Sequence, residues 1–255
     1  MIYKQSDNKK QNETLVALSV IDVIQEAEDV RTFRLDNSAG LVASYKPGMF
    51  AKVCLNINGD EVWRSFSISS SPLQPERIDL TIKRNHQGNV GNYFFEHIVR
   101  GSEIVLKGPL GQFYYDQKIH MEPVVLLCAG IGITPMMSIV RYLSDLKQDN
   151  HCSLFYGVRS HRDIIFDEEI RKISTTLLGF QYFLTLSRPS PQWLGYCGNL
   201  TYNFIQSKIS QIHTSRYFLC GPRQFNEYFE NQLLSAGVSK SLIHSELFHK
   251  KRKSK

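Results

Sequence analysis

The chain has 255 residues, 21% of them charged, and a formal net charge of +6, a length at which single cores stop growing and two domains of ordinary size are expected. The excess charge sits at the ends, where Lys250, Lys251, Arg252, Lys253 and Lys255 close the chain and Lys4, Lys9 and Lys10 outweigh Asp7; the body is close to neutral, which excludes a nucleic-acid-binding module. The polar start Met1 to Asn12, an apolar maximum at Val124 to Ile133 too short for a transmembrane segment, and five scattered cysteines with no C-x-x-C pair give the expectation of a soluble cytoplasmic protein with reduced thiols and no metal.

From Leu15 to Asp36 a strand-like pattern is broken by the polar Gln25 to Asp29, which reads as two strands and a turn. Lys46-Pro47-Gly48 is a type II turn signal, with φ preset by Pro and positive at Gly. A strand from Phe50 to Ile57, a tight hairpin at Asn58-Gly59-Asp60 and a strand from Glu61 to Ser70 follow. That strand carries Arg64-Ser65-Phe66-Ser67. Alternation sends Arg64 and Phe66 to one face and Ser65 and Ser67 to the other. The segment thus offers a cation for phosphate, a ring for stacking and hydroxyls for hydrogen bonding, the set that a flavin nucleotide requires. Ile78 to Lys83 alternates again, and the whole indicates a small antiparallel barrel. His86 to Asn92, with Gly88 and Gly91, is a glycine-rich turn opening a helix over Tyr93 to Val99, a seat for phosphate at the positive end of the helix. A strand from Glu103 to Lys107 then runs into Gly108 to Phe113, read as the turn that closes the barrel, and 116–123 reads as a linker.

Beyond it the period changes. Val124 to Ala129 is a continuous apolar run of the buried parallel-strand type, followed by Gly130-Ile131-Gly132-Ile133-Thr134-Pro135 and a helix over Met136 to Leu146, with Thr134 expected as N-cap and Pro135 as first helical residue. Strands at Cys152 to Val158, Gln181 to Leu186 and Tyr217 to Cys220 alternate with helices at Asp167 to Ser174, Leu200 to Ile209 and Gln224 to Ala236. This is the pattern of a parallel sheet with helices on both faces, whose ligands bind beyond the carboxyl ends of the strands. Three loops stand there: Gly130 to Pro135, Ser187-Arg188-Pro189 and Cys220-Gly221-Pro222. The first departs from G-x-G-x-x-G at Pro135, and the second strand ends in Arg159 where that fingerprint expects an acid.

In this order the elements resemble the ferredoxin-NADP reductase family, with the reductase components of bacterial oxygenases and the reductase half of flavohaemoglobins as the nearest likenesses. Arg64-Ser65-Phe66-Ser67 matches the family's R-x-Y-S, Gly88 to Tyr93 its phosphate turn, and Gly108-Pro109 with Gly111 and Phe113 its barrel exit. Gly130 to Pro135 matches G-x-G-I-T-P, Cys220-Gly221-Pro222 the C-G-P loop, and Glu246-Leu247-Phe248 the terminal E-x-F. The resemblance implies an FAD-binding barrel domain over 13–115 and an NAD(P)-binding α/β domain over 124–248, flanked by a polar tail 1–12 and a basic tail 249–255. For FAD it implies Arg64 on the phosphates, Phe66 on the ring system, Ser67 near the reacting nitrogen, and Ser65, Lys83, Gly88, Gly91, Asn92, Tyr93 and Phe248 around them. For NAD(P)H it implies Gly130, Gly132, Thr134, Pro135, Arg159, Ser187, Arg188, Cys220, Gly221 and Pro222, with Ser67, Cys220 and Glu246 bordering hydride transfer.

Phe66 stands where the family usually has Tyr, which keeps the stacking and drops a hydroxyl. Gly91 stands where many relatives have Ser or Thr, which leaves phosphate contact to backbone N–H groups and Asn92. No C-x4-C-x2-C cluster motif occurs in the chain. The function implied is an FAD-dependent reductase that takes hydride from NAD(P)H and passes electrons to a separate acceptor such as a ferredoxin or an oxygenase component, with the basic tail a candidate dock for an acidic partner. A free-flavin or ferric reductase is the alternative. A non-catalytic flavin-binding regulatory subunit would have lost Thr134, Cys220 and Glu246, which are present. Ser187-Arg188 and Arg159 leave NADH and NADPH both open.

Overall fold

The computed structural model describes residues 15–147 and 151–247; the expected polar tail 1–12, the basic tail 249–255 and Phe248 lie outside them. The first part is an antiparallel sheet of β1 (Leu15–Ala27), β2 (Val30–Asp36), β3 (Phe50–Ile57), β4 (Asp60–Ser67), β5 (Arg77–Lys83) and β6 (Glu103–Leu110), in the order β4-β3-β6-β1-β2-β5. β1 pairs with β6 through Leu15 to Ser19 and with β2 through Val20 to Ala27, and a register shift between Val20 and Asp22 bends it from one partner to the other. The two edges meet at an Ile68–Leu80 bridge, where Ser69 N also donates to Asp79 O at 2.9 Å, so the sheet closes into the expected barrel. Alternate residues fill its interior, among them Leu18, Phe33, Val53, Leu80 and Leu106. Phe94 of α1 (Asn89–His97) plugs it at 0% exposure.

Two expectations in this part change. α1 opens at Asn89 rather than Tyr93, so Gly91 and Asn92 belong to its first turn and Gly88 precedes it. The barrel is closed by Ile68 and Leu80, not by Gly108 to Phe113, because β6 continues through Gly108-Pro109 to pair Leu110 with Phe50. Gly108 has φ +150°, and a Cβ there would meet Ala51 Cα at 3.2 Å, which keeps that position free of a side chain.

The second part is a parallel sheet of β7 (Val124–Ala129), β8 (Cys152–Val158), β9 (Phe180–Leu186), β10 (Tyr196–Cys197), β11 (Arg216–Cys220) and β12 (Ile243–Glu246), ordered β10-β9-β8-β7-β11-β12. Leu126 and Cys128 face the cluster containing Met136, Val140 and Ile170 of α2 (Ile133–Leu146) and α3 (Asp167–Thr176). Val125 and Leu127 face Ile205, Phe229 and Leu233 of α4 (Tyr202–Gln206) and α5 (Arg223–Ser235), so helices cover both faces. The strand order runs outward from β7 in both directions, and the switch lies between β7 and β11. β10 and β12 escape the sequence pattern because one is two residues long and the other, Ile-His-Ser-Glu, has no apolar run. α2 starts at Ile133, since Gly130–Gly132 forms a 3₁₀ turn that leads directly into it. Thr134 is therefore not the N-cap: its hydroxyl donates back to Ile131 O at 3.0 Å.

The two parts share one seam. Phe113 and Tyr115, leaving the barrel, are buried in the same cluster as Phe218 and the α2 residues, and Ser138 and Arg141 of α2 bond the backbone just beyond β4. Among the described residues no helix is long and apolar enough to cross a membrane.

Candidate functional site

β4 lies at the end of the barrel's strand order, which leaves one flank open as it nears closure. Its register sets Arg64 opposite Val53 and Phe66 opposite Ala51 on one face of the strand, with Ser65 opposite Lys52 and Ser67 opposite Phe50 on the other; the alternation is as expected. Arg64 and Ser65 are exposed, Phe66 is half-buried with its ring edge-on to Phe94 at 5.5 Å, and Ser67 is buried. Arg64, Ser65 and Lys52 line an open groove of about 630 Å³, so two cations and one hydroxyl meet a volume large enough for a nucleotide.

The turn before α1 is arranged differently from the expectation. Gly91 packs against the exit of β5: a Cβ there would lie 2.9 Å from Asn85 N and 3.2 Å from Lys83 O and Arg84 Cα. The missing side chain is thus a packing requirement. Asn92 is engaged at both ends, accepting from Arg84 Nε at 2.9 Å and donating to His86 O at 3.3 Å, so it shapes the turn. Among the described residues no side chain caps the first-turn N–H groups of α1, and that turn holds no acid. Tyr93 lies against His97, with ring centres 4.8 Å apart. Lys83 pairs at 3.5 Å with Asp163 across the seam, so the structure places it between the two parts rather than on the β4 groove.

At the switch of the parallel sheet the three expected loops stand at the strand ends. Gly132 packs so closely on the 220–221 backbone that a Cβ would overlap the Cys220 carbonyl oxygen; this contact joins the Gly130 to Pro135 loop to Cys220-Gly221-Pro222. Gly130 has φ +55° and open space where a Cβ would stand, a cradle for a close-lying ligand. Thr134 and Pro135 are buried in the first turn of α2. Cys220 is paired with Cys128 on one side and Glu246 on the other. Burial pushes the Cys220 thiol well up, with the neighbouring Glu246 charge adding to it, so it is a neutral thiol. Burial alone raises Glu246 to about 7. Among the described residues its Oε2 is buried without a partner, as are Asn226 Oδ1 on α5 and Thr185 Oγ1 on β9; unpartnered polar atoms gathered around strand ends fit a polar ligand laid across them. Ser187 N donates to Val158 O at 3.0 Å and Arg188 N to Arg159 O at 2.7 Å, which brings the exposed Arg159 and Arg188 side by side at the ends of β8 and β9.

Three residues at this site were not anticipated. Asn226, buried on α5, donates to Glu246 O at 2.7 Å and to Ser245 Oγ at 3.1 Å; as one polar residue among many in an amphipathic helix it gave no signal. Ser138 and Arg141 follow Thr134 at i+4 and i+7, a polar stripe on an apolar helix, and that spacing was a readable signal.

The family model described as oxidoreductase FAD-binding domain matches residues 17–115, and the one described as oxidoreductase NAD-binding domain matches residues 126–231. The glycine betaine monooxygenase reductase subunit of Chromohalobacter salexigens is 32% identical over 231 residues, covering 89% of this chain and 62% of its own length. The Pseudomonas aeruginosa protein of the same name is 31% identical over 230 residues, covering 89% of this chain and 63% of its own length. This chain therefore spans less than two thirds of those relatives. Among solved structures, the flavohaem-like FAD/NAD binding domain of nitric oxide dioxygenase from Vibrio cholerae superposes with a TM-score of 0.81 at 26% identity, covering 90% of this chain and 97% of that one.

Proposed function

The chain belongs to the ferredoxin-NADP reductase-like family, in which an FAD-binding barrel is joined to an NAD-binding sheet, and from that premise we propose that it is a reductase that draws hydride from NAD(P)H and delivers electrons to a protein acceptor, an oxygenase component or a ferredoxin. The observation that carries this reading is the packing of Gly132 onto the Cys220 carbonyl, with Glu246 in register beside it. It gathers the dinucleotide loops into one wall at the sheet's switch point, next to the seam with the barrel.

When bound, FAD supplies the acceptor for the hydride, both electrons of the broken nicotinamide C–H bond, and releases them singly to the next carrier. The chain's own residues bind, orient and exclude water. Arg64 and the open N–H groups at the start of α1 hold phosphate, Phe66 covers the ring system in place of Tyr, and Ser67 presents a hydroxyl at the end of β4. Gly130 lets the dinucleotide lie close to the backbone, Thr134 and Pro135 bound its reacting end, and the neutral Cys220 thiol packs there without competing as a nucleophile. Glu246 Oε2 can hold a proton near neutral pH. Arg159 and Arg188 take the second ribose end. We place the division between the two binding units at 116–123.

The oxygenase reductases that this chain is similar to support a protein acceptor over a small molecule. The FAD-loaded protein, given NADH and either a [2Fe-2S] protein or free flavin, tests this. Faster electron delivery to the iron–sulfur protein is expected, and a preference for free flavin overturns it.

A further inference from the structure

Thr134, Ser138 and Arg141 form one stripe of α2, and its last two residues bond the segment just beyond β4. Ser138, fully buried, donates from Oγ to the Ser70 carbonyl at 2.7 Å. Arg141 donates from Nη1 to the Ser69 carbonyl at 2.7 Å, while its Nε and Nη2 grip both carboxylate oxygens of Glu169 at 2.7 Å each and its guanidinium lies over the Phe166 ring. The fork is therefore fixed from the sheet side before it reaches the barrel.

The barrel side is equally fixed. Ser69 N donates to Asp79 O at 2.9 Å, and Ser70 Oγ accepts from Asp79 N at 3.1 Å and meets Tyr45 Oη at 2.8 Å. Asp79 is itself held by Arg34 through both oxygens, at 2.9 and 3.1 Å. Ser69, Ser70 and Ser71 are all 0% exposed. Other polar contacts across the seam, Lys83 with Asp163 at 3.5 Å and Gln74 with Asp145 at 3.1 Å, involve more exposed groups and are weaker.

Ser138 stands one helical turn, about 6 Å, from Thr134, and Ser69 stands two strand residues, about 7 Å, from Ser67. We propose that Ser138 and Arg141 are positioning residues for hydride transfer, locking the Thr134–Pro135 turn of the sheet in register with the Ser67 end of β4. The inference rests on the function proposed above. A displacement of about 1 Å between reacting groups is enough to cost on the order of a hundredfold in rate, and two short buried bonds on rigid partners are the means to prevent it.

Ser138→Ala and Arg141→Lys in the full FAD-loaded chain test this by anaerobic rapid mixing with NADH and NADPH, alongside hydrogen–deuterium exchange. Expected are an unchanged flavin spectrum, unchanged reduction by dithionite, a dinucleotide dissociation constant within about twofold, and a limiting reduction rate lowered roughly tenfold or more. Exchange should quicken at residues 68–71 and in the first turn of α2 while both interiors stay protected. A limiting rate within about twofold of the parent overturns the inference, and so does a slow rate that appears only with FAD loss or with faster exchange throughout. Should Arg141→Lys fail to fold, Ser138→Ala decides alone. If the parent flavin is reduced by neither dinucleotide, the functional reading fails instead, and unchanged exchange at the seam in the variants then overturns the lock by itself.

Discussion

Cys220 and Glu246 stand opposite each other on neighbouring parallel strands, the buried thiol beside a carboxyl whose Oε2 has no hydrogen-bond partner among the described residues. Burial raises Glu246 to about 7, above its unfolded value, so the folded state holds a proton that the unfolded chain releases. The stabilising contribution is complete below pH about 4.5 and is lost as pH rises through about 7. Glu246→Gln, always neutral, should flatten stability across that window and raise it at about pH 8 by on the order of 2 kcal/mol. Denaturant unfolding at several pH values measures this. A parallel fall in parent and variant contradicts it.

Gly132 has no room for a methyl group against Cys220 O and Cys220 C, both backbone atoms. Gly132→Ala must push the two dinucleotide loops apart. The expected result is intact FAD binding with dinucleotide-dependent flavin reduction slowed by about a hundredfold, measured by visible spectroscopy and rapid mixing. Unchanged reduction would show that the loops need not touch.

Gly91→Ser restores the residue type that the family resemblance leads one to expect, yet its Cβ would enter the backbone of residues 83–85. Overpacking of this kind costs about 1–3 kcal/mol. The variant should melt at a lower temperature and bind FAD no more tightly, as read by thermal unfolding and a fluorescence titration of FAD. Tighter binding would mean that the hydroxyl reaches phosphate and that α1 shifts to admit it.

Arg159 and Arg188 are exposed at adjacent strand ends, joined by the 2.7 Å backbone bond between them. Arg188→Ala should leave the NADH dissociation constant within about twofold and weaken NADPH by about tenfold or more, because only the latter carries a 2′-phosphate for a guanidinium to grip. Titration of both nucleotides into the protein decides it, and equal weakening of the two contradicts the assignment.

Most of the architecture was legible because it rests on local patterns. The strand between the Lys46-Pro47-Gly48 and Asn58-Gly59-Asp60 turns, Phe50 to Ile57, and the apolar run Val124 to Ala129 have bounds the structure reproduces, and Asn58-Gly59 gave a hairpin with φ of +55° and +89°. What the pattern hid was set by tertiary contact. β12 is polar because it is an edge strand carrying Glu246, and α2 begins early because the Gly130–Gly132 turn feeds into it. The face that Arg64 and Phe66 share was readable from a period of two. That Asn92 is occupied by Arg84 and that Lys83 faces Asp163 was not, since both depend on neighbours brought close only by folding. The seam was half legible: Ser138 and Arg141 could be read as a stripe, while their acceptors, two backbone carbonyls, leave no mark in a sequence.

The central claim is that a dinucleotide on the parallel sheet reduces a flavin on the barrel. Anaerobic mixing of the purified, FAD-loaded protein with NADH, and separately with NADPH, tests it most directly. Rapid loss of the flavin's visible band with at least one of them is the predicted result. A flavin that binds and is bleached by dithionite but by neither dinucleotide would contradict the account.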